Sequence, residues 1–271
     1  MPGLGSTVIE GHADATVDLN ADLGELPGKL GQATDAALLG IVTSASVAAG
    51  GHAGDRESMY RVCRLARERG VRIGAHLSFE DREGFGRRAP EQIDIALTAT
   101  LTRQLAMLSD AADRAGTTVS YVKPHGALYN LALDDAQLAG ALLDAMHDSH
   151  LPILTLSGST LSAMASARGT ATYGEFFADR EYLPTGRLVP RDAPQAIVQD
   201  GVIERAVEAI VTKSVSAIDG TSLPVEFDSI CVHGDTPDAV QLAAGIRHRI
   251  ESMGLRIQAF TDASRFHGPT S

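Results

Sequence analysis

The sequence predicts a distorted TIM-like (β/α) barrel of seven or eight mostly parallel strands, folded as a single domain. Three observations predict it. Strand-like and helix-like segments alternate seven or eight times, which implies a parallel sheet with helical crossovers. Polar residues follow nearly every strand and precede the next helix, so in a closed barrel they share one rim. The length, 271 residues, suits the about 250 that eight strand–helix units take. An open doubly wound sheet is the competing architecture, but it would concentrate polar groups at one switch point. The barrel is expected over 16–262, between a flexible N-terminal tail (1–15) and a C-terminal tail (263–271).

In chain order, a first strand over 16–19 runs into Asn20, Asp22 and Glu25. Residues 25–32 read as a Gly/Pro loop, with Thr34 or Asp35 opening a helix that reaches 42. A strand of small residues, 44–49, delivers His52 and Asp55. Asp55 is placed to cap a helix over 56–69, where Met59, Val62, Cys63 and Ala66 recur at helical spacing and Gly70 stops the run. The strand 71–75 delivers His76, and a charged loop over 78–88 follows. A helix over 90–115 has Pro90 near its first turn, where the missing N–H is harmless.

The densest stretch comes next. The strand 119–122 gives way to Lys123, Pro124, His125, Gly126 and Asn130. Pro124 cannot donate to a ladder, so the strand is expected to end there, and Gly126 permits close backbone approach. Asp134 is expected to start a helix through 146, with Gln137 completing a capping box. Strands over 152–156 and 170–177 follow, the second carrying Glu175 and leading to Asp179 and Arg180. After a helix over 202–215 and an irregular stretch to 228, a strand over 229–232 delivers His233 and Asp235. Thr236, Pro237 and Asp238 form a helix start, that helix ends near Gly254, and 255–260 is a candidate last strand.

Composition narrows the function classes. Lys plus Arg is 23 against 34 Asp plus Glu, a net charge of −11, which argues against nucleic-acid and anionic-membrane partners. Two cysteines make no disulfide framework and predict a reduced, cytoplasmic protein. The N-terminus lacks the basic and apolar segments of a signal peptide. The uncharged run 36–51 falls short of the roughly 20 residues a membrane span needs and reads as a buried helix entering a buried strand. A homo-oligomer is compatible with the sequence.

Four of the nine histidines, His52, His76, His125 and His233, sit at strand ends among carboxylates, where imidazole can exchange protons or bind metal. Asp22, His52 and His125 could supply three metal ligands, yet no HExxH, His-x-His or cysteine cluster signals a metal, and none is assigned. Arg82, Arg87, Arg88 and Arg180 lie in loops and could hold a carboxylate or phosphate, although Asp81, Arg82 and Glu83 read first as a solvated loop. Residues 24–30 miss the Walker A spacing, and neither a dinucleotide fingerprint nor a serine elbow is found. The residues alone support a barrel hydrolase or lyase acting on a small polar molecule.

The segments VDLNADLGE (17–25), AGGHAGD (49–55), IGAHLSFEDREGFGRR (73–88), YVKPHGALYN (121–130), EFFADREY (175–182), GRLVPR (186–191) and CVHGDTPDAV (231–240) resemble the LamB/YcsF family, whose members are A subunits of bacterial 5-oxoprolinase. Departures from the usual family pattern fall at Leu26, Ser46, Val47, Ala49, Gly51 and Leu77. The resemblance implies a distorted TIM-like barrel and ATP-dependent opening of 5-oxo-L-proline to L-glutamate. It also implies B and C subunits as partners; where ATP binds is left open, this chain or a partner.

With that chemistry in view, Asp22, His52, Lys123 and His125 are the candidate catalytic residues. Lys123 would meet the oxyanion or phosphate, and Arg87 or Arg180 the substrate carboxylate. Asn20, His76, Asn130, Glu175, His233 and Asp235 complete the candidate substrate-binding set. The competing readings are a metal-dependent, ATP-independent amide or ester hydrolase or deacetylase on the same barrel, and a non-enzymatic subunit that binds a small acid.

Overall fold

A computed structural model of the chain describes residues 16–91 and 96–262. The expected tails, and positions 92–95 of the expected helix over 90–115, lie outside the described residues. The first half consists of β1 (Thr16–Leu23), α1 (Gly28–Leu38), β2 (Ser44–Ala48), α2 (Arg56–Arg69), β3 (Arg72–Leu77), α3 (Ala96–Arg114), β4 (Val119–Pro124) and α4 (Gly126–Ala132). The second half adds α5 (Ala136–Met146), β5 (Ile153–Thr155), α6 (Thr160–Ala167), β6 (Thr172–Phe177), α7 (Val202–Thr212), β7 (Ser214–Ser216), β8 (Ser222–Pro224), β9 (Ser229–Val232), α8 (Ala239–Ser252) and β10 (Arg256–Ile257).

Seven parallel strands close a barrel in the order β1-β2-β3-β4-β5-β6-β9, with β9 returning to β1 through Asp18↔Ser229 to Ala21↔Val232. β10 pairs with the start of β1, and β7 and β8 form a separate antiparallel hairpin. The barrel predicted from the alternation of elements is therefore present, and its strands put the polar loops at their C-terminal ends.

The β1 sequence explains the unusual interior. Val17, Leu19, Ala21 and Leu23 alternate with Asp18, Asn20 and Asp22, and successive strand residues face opposite sides. The apolar set belongs to the continuous core under the helices, and the polar set faces side chains of other strands inside the barrel. In register beside Asp22 stand Ser46, Gly74 and Tyr121. A Cβ on Gly74 would collide with the Tyr121 ring, whose hydroxyl lies 3.1 Å from Ser46 Oγ. Helix α2 buries the predicted Met59, Val62, Cys63 and Ala66, and burying a side chain such as Met59 or Val62 is worth about 1.5–3 kcal/mol. Its N-cap Asp55 accepts from Glu57 N and Ser58 N, and Gly70 closes it at φ +69°.

Several boundaries differ from expectation. Helix α1 starts at Gly28, inside the expected loop, and Asp35 lies within it rather than capping it; its carboxylate accepts from Gly24 N and Arg61. Helix α5 is capped by Asp135, whose carboxylate accepts from Gln137 N and Leu138 N, while Asp134 pairs with Arg187. At α8 the expected cap fails: Thr236 Oγ1 donates to Asp179 and Asp238 carries no side-chain cap bond. The irregular stretch before 228 holds the β7–β8 hairpin. Among the described residues, no helix is long and apolar enough to cross a membrane.

Candidate active site

At the C-terminal ends of the strands, a cavity of about 420 Å³ opens over Asp22, Glu25, His76, Lys123, His125 and His233, with Arg87, Arg180, Arg187, Arg191 and Asp235 around its mouth. Its apolar wall includes Tyr129, Leu133, Phe177 and Leu188.

Lys123 is fully buried at the floor. Its Nζ lies 2.8 Å from Asp22 Oδ1, 2.7 Å from Glu175 Oε1, 3.2 Å from Asn20 Oδ1 and 3.2 Å from Cys231 Sγ. Burial alone would discharge the amine, but the charges around it, Asp22 foremost, hold its pKa well above the usual lysine value. Burial likewise pushes the Asp22 carboxyl up, yet His76 and Lys123 hold it well below the carboxylate range. Beneath Lys123 the contacts continue down the barrel: Asn20 Nδ2 donates to Glu175 and Ser229, and Ser229 Oγ donates to Asp18.

Three histidines gather beside this ion pair. The rings of His52 and His125 stack with centroids 3.6 Å apart and planes 5° from parallel, and His76 meets both edge-on. Glu25 Oε1 stands 2.9 Å from His52 Nε2. Burial and the neighbouring Asp22 charge push the Glu25 carboxyl up to about 8, while burial pushes His52 down to about 3. Burial, with His52 and His76 adding to it, also pushes His125 well below the usual imidazole value. The loop over 78–88 lies against these rings: Ala127 N donates to Gly86 O at 2.9 Å. Gly126, at φ +57°, leaves room for that carbonyl, and a Cβ on Gly86 would stand 2.8 Å from both His125 and His52. Glu25, His52, His76 and His125 present ligand-type atoms within 4.8 Å of one another, as do Asp22, Cys231 and His233.

Across the floor, His233 Nδ1 lies 2.9 Å from Asp179 Oδ1. A carboxylate only accepts, so Nδ1 carries the hydrogen, and Nε2, 4.0 Å from Asp22 Oδ2, is the nitrogen free to exchange a proton. Asp179 is fully buried and also accepts from His233 N and Thr236 Oγ1. Burial opposes its ionisation, but His233 and these donors bring its pKa down to about 2.

The mouth is cationic. Arg87 and Arg191 both reach Asp235, at 2.5 and 2.6 Å, and Arg187 reaches Asp134 at 2.5 Å. Arg180 is buried and donates to the carbonyls of Ala196 and Val189, and that burial, with Arg191 nearby, brings its pKa down to about 10.

Of the residues singled out from sequence, Asp22, His76, Lys123, His125, Arg87, Asn130, Arg180, His233 and Asp235 line this cavity. Asn130 is exposed and its amide donates to Gly126 O. Asn20 and Glu175 lie beneath Lys123, and His52 lies behind His125. Arg82 and Arg88 serve the loop, donating to Gly50 O and Gly54 O and to Asp81. Sequence reasoning gave no role to Asp179, and it passed over Ser78, Arg187 and Arg191. The signal for the two arginines was their spacing of four in GRLVPR, brought to the mouth by the Tyr182↔Leu188 bridge.

Comparison with known proteins agrees with this fold. The LamB/YcsF family matches residues 17–265. A protein of Streptomyces avermitilis, named as the A subunit of 5-oxoprolinase, is 49% identical over 248 residues, covering 90% of this chain and 99% of that one. A protein of Mycobacterium leprae with the same name is 46% identical over 250 residues, covering 91% and 99%. The crystal structure of a lactam utilization protein from Thermus thermophilus superposes with a TM-score of 0.81 at 33% identity, over 90% of this chain and 99% of that one. The chain belongs to the LamB/YcsF family.

Proposed function

We propose that the chain is the A component of a multi-subunit 5-oxoprolinase, working with B and C components in the ATP-dependent opening of 5-oxo-L-proline to L-glutamate. One observation carries the reading: a single cavity joins a floor of Asp22, Lys123 and His233 to a mouth lined by four arginines. The names of the relatives support it. The substrate is a small ring with one carboxylate and one unactivated amide, and the two ends of the cavity suit those two groups.

Arg191 and Arg87, steadied by Asp235, offer guanidinium forks that match a carboxylate bidentately. The ring then packs on Phe177 and Tyr129, with its carbonyl toward Lys123. Transfer of the terminal phosphoryl group of ATP to the lactam oxygen makes the carbonyl carbon open to attack. Water adds there while His233 Nε2 takes its proton, and Lys123 offsets charge on the oxygen. The C–N bond breaks as the ring nitrogen is protonated, and the resulting acyl phosphate is released to a second water. Asp22 holds Lys123 in position, and His125, backed by His52, closes the reacting centre on the β3–β4 side.

The test is release of glutamate and ADP from 5-oxoproline and ATP by the chain with and without its B and C partners. Coupled, stoichiometric release by the assembled complex is expected. Turnover that needs no ATP and stops with a chelator would replace this reading with metal-dependent amide or ester hydrolysis, which the Glu25–His52–His76–His125 cluster favours.

A further inference from the structure

The backbone fixes the tautomers of two of the clustered histidines. His76 Nδ1 lies 3.1 Å from Lys123 O, and His125 Nε2 lies 2.8 Å from Phe85 O. A carbonyl oxygen only accepts, so each of those nitrogens carries the ring hydrogen. In the neutral rings the opposite nitrogens, His76 Nε2 and His125 Nδ1, are bare lone pairs that face each other across 2.9 Å. Glu25 Oε1 closes on the same point, 3.4 Å from His125 Nδ1, 3.7 Å from His76 Nε2 and 2.9 Å from His52 Nε2. Asp22 Oδ2 stands 3.3 Å from His76 Nε2. One proton shared between His76 Nε2 and His125 Nδ1 relieves that pair but leaves Glu25 Oε1 against the same two nitrogens, with only His52 Nε2 placed to donate to it. A divalent cation relieves them together.

The outer atoms of the cluster have the form that orients imidazole ligands. Each histidine has its far nitrogen hydrogen-bonded, His76 to Lys123 O, His125 to Phe85 O, and His52 Nδ1 to Ser78 Oγ at 2.9 Å. Ser78 is itself clamped, its N donating to Gln104 Oε1 and its carbonyl accepting from Gln104 Nε2. A Cβ on Gly51 would run into Ser78 and Gln104, so glycine there preserves the clamp.

We propose that Glu25 Oε1, His76 Nε2 and His125 Nδ1 bind one divalent transition-metal ion, with zinc the ion this set of two imidazoles and a carboxylate suits best, while His52, stacked on the His125 ring, holds Glu25 in place through Nε2 at 2.9 Å. Ligand bonds of 2.0–2.2 Å place the corners of a zinc tetrahedron roughly 3.3–3.6 Å apart, and the three separations among these atoms, 2.9, 3.4 and 3.7 Å, bracket that edge. Glu25, His76 and His125 border the cavity, so the ion's open side faces a bound molecule. The other convergent group, Asp22, Cys231 and His233, already has a cation, because Lys123 Nζ touches both Asp22 and Cys231. Metal binding rests on none of the reaction proposed above, and a metal-free chain would leave that reading intact.

The test uses the purified full chain without substrate or nucleotide, stripped with a chelator and dialysed against zinc. Elemental analysis is expected to find about one zinc per chain, and cobalt(II) in its place is expected to give the d–d bands of a nitrogen and oxygen site. Glu25→Gln is expected to weaken zinc binding on the order of 100-fold and His52→Ala, which releases Glu25, about 10-fold, while Cys231→Ser leaves it unchanged. Substoichiometric zinc in the wild-type chain overturns the proposal, as does unchanged affinity in both Glu25→Gln and His52→Ala. A sulfur-to-cobalt charge-transfer band lost in Cys231→Ser also overturns it, by moving the ion to the other group. The wild-type stoichiometry and spectrum decide the question even where a variant does not fold.

Discussion

Asp179 grips His233 by its Nδ1 at 2.9 Å and aims the opposite ring nitrogen into the cavity. This is the arrangement of a proton carrier with its orienting carboxylate. Asp179→Asn and His233→Gln are each expected to lower kcat of the assembled enzyme by about 100-fold or more, with KM for 5-oxoproline little changed. Steady-state kinetics with saturating ATP checks this, and an unaltered kcat in both would remove His233 from proton transfer.

Lys123 neutralises two buried carboxylates, Asp22 and Glu175. Lys123→Met leaves them facing each other without a cation and is expected to cost about 3–5 kcal/mol of folding stability. Urea unfolding measures the loss, and adding Glu175→Gln to Lys123→Met is expected to recover part of it. A loss no larger than that of an exposed substitution would mean the lysine is not the counter-ion of this floor.

Arg191 shares Asp235 with Arg87, so its removal leaves Asp235 one guanidinium partner. Arg191→Ala is expected to raise KM for 5-oxoproline about 10- to 100-fold, the worth of a hydrogen bond to a charged group, with a smaller effect on kcat. An unchanged KM in Arg191→Ala would show that the substrate carboxylate is held elsewhere.

At the other end of the barrel, burial pushes the Asp18 carboxyl up to about 6, only partly offset by hydroxyl donors from Ser229, Thr43 and Ser44. A carboxyl that holds its proton more tightly when folded makes folding most favourable below its unfolded pKa near 4. That contribution is lost as pH rises toward 6, and the shift corresponds to ~3 kcal/mol. Asp18→Asn cannot ionise, so its stability relative to wild type is expected to improve by that order between pH 4 and pH 7. Urea melts at the two pH values test this, and a pH-independent difference would rule it out.

Much of the barrel was legible because strand-like and helix-like segments alternate and polar residues follow the strands. The strand expected over 229–232 coincides with β9, whereas the one expected over 16–19 runs on to Leu23, because Asn20 and Asp22 alternate with buried Ala21 and Leu23 instead of starting a loop. Helix α1 was misjudged because Gly28 and Gly31 read as loop. A Cβ on Gly31 would strike the Leu26 backbone, so close packing demands the residue that disguises the helix. Helix α4 spans seven residues, too few for a helical period to stand out among the polar groups of 123–130. In the site, residues at strand ends were visible and residues brought in by tertiary structure were not. Arg187 and Arg191 arrive on an excursion whose path depends on the Tyr182↔Leu188 bridge, which no local pattern encodes. Asp179 stood in view, but its partner His233 is 54 positions away.

The polar column that starts at Asp18 and rises through Ser229 and Asn20 to Lys123 has an evolutionary consequence. Each member bonds the next and also reaches other strands, Asp18 to Thr43 and Ser44, Asn20 to Glu175 and Lys123 to Asp22, so a replacement along it alters the partners of several neighbours. Such positions drift in concert, and tolerance at one is conditional on the identity of another. Epistasis between the start of β1 and the Lys123 floor of the cavity is therefore built into the barrel interior, where ordinary barrels keep interchangeable aliphatic layers.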